Sequence, residues 1–93
     1  MDTNERTFKL YADSGHSWIA VKRNILAELN LLEQVSHCSY QKGATVYVES
    51  GSDGVKFTKA FVERFGCEPK IVEKSYKDGS SQIRTYERFS VIS

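Results

Sequence analysis

Apolar and polar residues alternate along Thr7-Phe8-Lys9-Leu10-Tyr11-Ala12-Asp13, setting Phe8, Leu10 and Ala12 against Lys9, Tyr11 and Asp13. A period of two predicts a half-buried strand. Asp13-Ser14-Gly15-His16-Ser17 supplies turn chemistry, because Asp and Ser bond back to nearby backbone and Gly admits positive φ. A short apolar piece, Trp18 to Val21, follows. From Lys22 to Leu32 the spacing of Ile25, Leu26, Leu29 and Leu32 becomes helical, with a start at Lys22 or at an N-cap on Asn24. Ser39-Tyr40 and Ala44 to Glu49 flank Gln41-Lys42-Gly43 and read as a hairpin.

Ser50-Gly51-Ser52-Asp53-Gly54 breaks that strand, and Ser52 or Asp53 can cap a second helix. Its apolar stripe is Phe57, Ala60, Phe61 and Phe65, at i, i+3, i+4 and i+8, and Gly66 followed by Pro69 marks its end. Lys70 to Tyr76 and Gln82 to Phe89 alternate around Asp78-Gly79, a strong two-residue turn signal, and predict a closing hairpin. The whole predicts an α+β domain spanning residues 1–93. Two helices pack on one face of a mostly antiparallel sheet of about five to six short strands, with residues 1–6 disordered.

Composition narrows the function classes. With 93 residues and a formal net charge of +1, the chain is neither an acidic DNA mimic nor a strongly basic nucleic-acid coat. Its six glycines, at 15, 43, 51, 54, 66 and 79, fit no phosphate-binding loop, so no cofactor is expected. No apolar run approaches the ~20 residues needed to cross a bilayer, and the polar start Met1 to Arg6 is unlike a signal peptide. A cytoplasmic protein without membrane contact is expected. Cys38 and Cys67 belong to no metal-binding pair and read as small buried or half-buried side chains rather than a disulfide.

Several groups could carry chemistry. Asp13 stands three residues before His16 in the first turn and could orient the imidazole as a base or as half of a metal site, with Trp18 beside it. Alternatively, Asp13 stabilises the turn, His16 is solvated and Trp18 anchors the core. His37 and Cys38 are consecutive, so on extended chain they point apart, and the ligand types His16, His37, Cys38 and Cys67 lack zinc spacing. No metal is expected. Between Lys56 and Arg88 there are eight basic and five acidic residues, and the predicted last strand sets Arg84, Tyr86 and Arg88 on one face. Tyr11 and Tyr47 occupy the polar-alternating face of their strands. Arg and Tyr anchor protein interfaces and also grip phosphates and stack on bases.

Tyr11-Ala12-Asp13-Ser14-Gly15-His16-Ser17-Trp18, Ser39-Tyr40-Gln41-Lys42-Gly43 before Val46-Tyr47-Val48-Glu49, and Ile83-Arg84-Thr85-Tyr86 together resemble a group of small proteins carried by bacteriophages, prophages and plasmids. The chain departs from that group after the tyrosine strand, where Ser50-Gly51-Ser52 stands before Asp53 in place of an acidic run. The resemblance implies a mobile-element setting rather than a chemistry. The expected function is that of a non-enzymatic accessory protein that binds and modulates or inhibits a host protein, in the manner of anti-CRISPR or anti-restriction proteins. Tyr11, Tyr47, Arg84, Tyr86 and Arg88 are its expected protein-binding residues. The alternatives are a nucleic-acid-binding module using the basic C-terminal third and, more remotely, a small hydrolase or metal protein centred on His16. A homodimer through the tyrosine face is a further option.

Overall fold

The computed structural model describes residues 7–91. The expectation for residues 1–6 lies outside that range. The described chain is α+β, in the order β1 (Thr7–Asp13), β2 (Ser17–Lys22), α1 (Arg23–Glu28), β3 (Tyr40–Lys42), β4 (Thr45–Glu49), α2 (Asp53–Phe65), β5 (Lys70–Lys77), a 3-10 turn (Gln82–Thr85) and β6 (Glu87–Arg88). The six strands form one mostly antiparallel sheet in the order β5-β1-β2-β4-β3-β6.

The alternation in β1 works as predicted. Phe8 faces the helices and meets Phe57 and Phe61 edge-on, with ring centroids 5.0 and 5.7 Å apart. Ile19, Val21, Val46 and Val48 of β2 and β4 join Ile25 and Leu26 of α1 in the same core. Both helices therefore cover one face of the sheet. Helix α2 runs the length its apolar stripe predicts and stops at Gly66, a left-handed C-cap at φ 76°. Ser52 holds the predicted N-cap position, but its hydroxyl donates to Glu49 Oε1 (2.9 Å) rather than capping the helix.

Three expectations are corrected. Helix α1 ends at Glu28 rather than Leu32, because Asn30 takes a left-handed conformation (φ 59°), which Asn tolerates better than most residues, and buries Leu31. Cys38 and Cys67 are exposed, not buried or half-buried. The closing hairpin does not form. Strand β5 pairs parallel with β1 at one edge, whereas β6 pairs antiparallel with β3 at the other.

The cause is long-range. Gly79 O accepts bonds from Ser14 N and Ser14 Oγ, fastening the Asp78-Gly79 turn to the β1–β2 loop. From there Asp13 takes hold of Ser81 and Arg84, and the chain is drawn across the helix-free face. Residues 82–85 accordingly coil instead of extending, and Arg84, Tyr86 and Arg88 do not share a strand face.

Candidate functional site

The helix-free face is built by the strand positions that alternate away from the core. Cross-strand register places Lys9, Ala20, Tyr47 and Tyr40 in one row, Tyr11, Trp18 and Glu49 in the next, and Lys22, Thr45 and Lys42 in a third. The C-terminal segment crosses this face and sinks Ile83 into a second apolar cluster with Trp18 and Tyr40. Trp18 and Tyr40 are buried beneath it, whereas Tyr11, Tyr47 and Tyr86 remain half-buried.

Tyr11 and Tyr47 share the face their alternation assigns, on strands separated by β2, and Tyr86 joins them from the crossing segment rather than from a strand face. Tyr11 and Tyr47 pack edge to face at 5.9 Å, Tyr86 lies 5.3 Å from Tyr47, and the Lys42 ammonium sits 4.8 Å from the Tyr86 ring centre. Burial, reinforced by the neighbouring Tyr86 and Tyr11 phenols, pushes the Tyr47 hydroxyl's pKa above its ordinary value. It is therefore a neutral donor throughout the physiological range.

Arg84 and Arg88 are largely engaged within the chain. Arg84 donates from Nε to Asp13 Oδ2 (2.6 Å) and from Nη2 to Asp13 Oδ1 (3.0 Å), with its guanidinium 5.4 Å from the Trp18 ring centre. Arg88 lies over Tyr40 at 4.8 Å and donates to His37 O (2.8 Å). Arg88 stays exposed, and the Arg84 side chain keeps about a third of its surface in solvent.

Asp13 is a structural carboxylate. Its buried side chain also accepts from Gly15 N, His16 N and Ser81 N, at 2.9, 2.9 and 2.8 Å. The Arg84 guanidinium holds its pKa far below the usual carboxylate range; burial opposes this, and the three backbone donors add to it. It bonds the backbone of His16 and not the imidazole, which corrects the idea that Asp13 orients that ring.

Glu49 does so instead. His16 Nδ1 lies 3.2 Å from Glu49 Oε2, and Gly51 N and Ser52 Oγ donate to the other oxygen. Sequence spacing offered no route to this pair, which is 33 residues apart and depends on β2 and β4 being neighbours. The imidazole and Cys38 line one cleft of about 350 Å³ together with Glu49, Arg84 and Arg88. Among the described residues, no group of three or more His, Cys, Asp and Glu side chains could hold a metal. No helix there is long and apolar enough to cross a membrane.

Lys9, Ala20 and Lys22 share the candidate face, although nothing in their own residue types singles them out. Period-two alternation through Tyr11 and Trp18 was the signal for them. They border a recess of about 200 Å³ between Tyr11 and Tyr47. No family model, curated protein or solved structure matches the chain.

Proposed function

We propose that the protein is a non-enzymatic accessory protein of a mobile element that binds and modulates a host protein, a component of a defence system, through its helix-free sheet face. The observation that carries this reading is the clustering of Tyr11, Tyr47 and Tyr86 beside Lys9, Lys22 and Lys42. The two carboxylates that β1, β2 and β4 direct to this face are already engaged, Asp13 with Arg84 and Glu49 with His16. What remains is aromatic and cationic, a composition that anchors interfaces and favours a partner with an acidic surface. In the test, immobilised protein retains one stoichiometric partner from a bacterial lysate, and Tyr11→Ala and Tyr47→Ala release it while Lys59→Ala on α2 does not. Failure to retain any stoichiometric partner, or equal retention by the tyrosine variants, overturns the proposal.

The same cations support a second reading, a nucleic-acid-binding module. It requires an oligonucleotide complex whose affinity falls steeply with salt, because each phosphate contact releases a counterion. Absence of a retarded complex at low salt disposes of it.

A further inference from the structure

The recess between Tyr11 and Tyr47 has a defined origin. Ala20 is flanked across the sheet by Lys9 and Tyr47, while its own strand carries Trp18 and Lys22 on the same face. One small residue among large ones leaves a hollow of about 200 Å³, with Thr45 on its rim. That is below the ~300–1,000 Å³ typical of sites for nucleotides, cofactors and drug-sized ligands, and suits a single side chain. Its charge is one-sided: among the described residues, neither Lys9 nor Lys22 pairs with a carboxylate. Phenol and threonine hydroxyls supply further donors.

Building on the binding function above, we propose that this recess takes the carboxylate of a Glu or Asp side chain from an acidic segment of the partner protein. Lys9 and Lys22 complement its charge, and the hydroxyls of Tyr47 and Thr45 are available as donors to its oxygens. A protein segment fits better than a nucleic-acid strand. Tyr11 and Tyr47 meet at an interplanar angle of 70°, so they form no parallel pair to sandwich a base, and the hollow is too small for a nucleotide.

The test is an amide chemical-shift titration of the ¹⁵N-labelled full chain with a hexaglutamate peptide, and in parallel with hexathymidylate. The peptide is expected to shift Lys9, Ala20, Lys22 and Tyr47 in a saturable manner. Ala20→Phe, which fills the hollow, and the surface double variant Lys9→Gln/Lys22→Gln should each weaken it about tenfold. Lys56→Gln/Lys59→Gln on α2 should leave it unchanged. The double variant keeps the test valid if Ala20→Phe disturbs the sheet. The proposal is overturned if the peptide does not bind, if shifts spread over all lysines, if both recess variants bind normally, or if hexathymidylate occupies the recess more tightly. A lysate partner retained by both recess variants but lost by Tyr47→Ala would overturn the recess while leaving the binding function standing; retention by all of them would remove both.

Discussion

Arg84 clasps Asp13 with two parallel hydrogen bonds, from Nε to Oδ2 at 2.6 Å and from Nη2 to Oδ1 at 3.0 Å, joining groups 71 residues apart in sequence. The bond ties the crossing segment to the end of β1 and holds the Asp13 pKa well below its usual value of 3.8. A carboxylate with a depressed folded-state pKa contributes stability that is complete above the unfolded pKa. That contribution fades as pH falls below the unfolded value towards the folded one. Asp13→Asn should therefore be less stable than the parent at neutral pH. The gap should narrow from about pH 4 downwards, as read by urea midpoints across the acid range.

Trp18 is the chain's single tryptophan and is buried, with the Arg84 guanidinium 5.4 Å from its ring centre and Ile83 in the same apolar cluster. Its fluorescence therefore reports whether the crossing segment is seated. Arg84→Ala, which removes both the clasp and the cover, should shift the emission to longer wavelength and raise its quenching by acrylamide. Arg84→Lys keeps the charge but not the two-pronged geometry, and should fall between. Unchanged emission in Arg84→Ala would mean that Ile83, with the hydrogen bonds of Ser81 to Asp13 and of Ser14 to Gly79, seats the segment without the clasp.

The elements visible in the sequence are those whose information is local. The alternation of Phe8, Leu10 and Ala12 specifies β1 without knowledge of its neighbours, and the stripe from Phe57 to Phe65 with Gly66 behind it specifies α2 and its end. The closing hairpin fails for the complementary reason. Asp78-Gly79 is a sound turn, with Gly79 at φ 100°, but the strands on either side of it find better partners. β5 pairs with the free edge of β1, while Asp13 captures Ser81 and Arg84. Neither partner is legible from within residues 70–89. The site divides the same way. Tyr11 and Tyr47 were readable from alternation, but the partner of His16 was not, because the sequence offers the nearby Asp13 and the sheet supplies Glu49.

Gly66 and Gly54 separate two costs of adding a methyl group. A Cβ on Gly66 meets nothing within 4 Å, yet the residue sits at φ 76°, so Gly66→Ala should cost about 1 kcal/mol through backbone strain alone. Gly54 lies in the first turn of α2 with no positive φ, but a Cβ there falls 3.2 Å from Ile19 Cδ1 and 3.3 Å from Glu49 O. Ala is the better helix former, by ~0.8–1.0 kcal/mol, which offsets part of that crowding. Guanidinium denaturation should show Gly66→Asn closer to wild type than Gly66→Ala, since Asn tolerates the left-handed region. Gly54→Val should be markedly worse than Gly54→Ala.

Asp53 links the fold to the candidate site. Buried at the start of α2, its Oδ2 accepts from Ser36 N (3.0 Å), Ser36 Oγ (2.8 Å) and Ser39 Oγ (2.6 Å). Ser39 Oγ in turn accepts from Glu49 N (3.0 Å), the residue that holds His16. Asp53→Ala strands these donors, of which Ser39 Oγ is buried and the two of Ser36 half-buried, and should cost about 1–3 kcal/mol in urea denaturation. Lys56, 3.5 Å from Asp53 Oδ1 but half exposed, should cost no more than ~1 kcal/mol when replaced by Ala, because solvent screens an exposed partner and its side-chain entropy is recovered. If the chain from Asp53 through Ser39 positions Glu49, then Ser39→Ala should also shift the His16 ring resonances. Lys56→Ala should leave them in place. Equal effects of Ser39→Ala and Lys56→Ala on those resonances would show that β4 pairing alone positions Glu49.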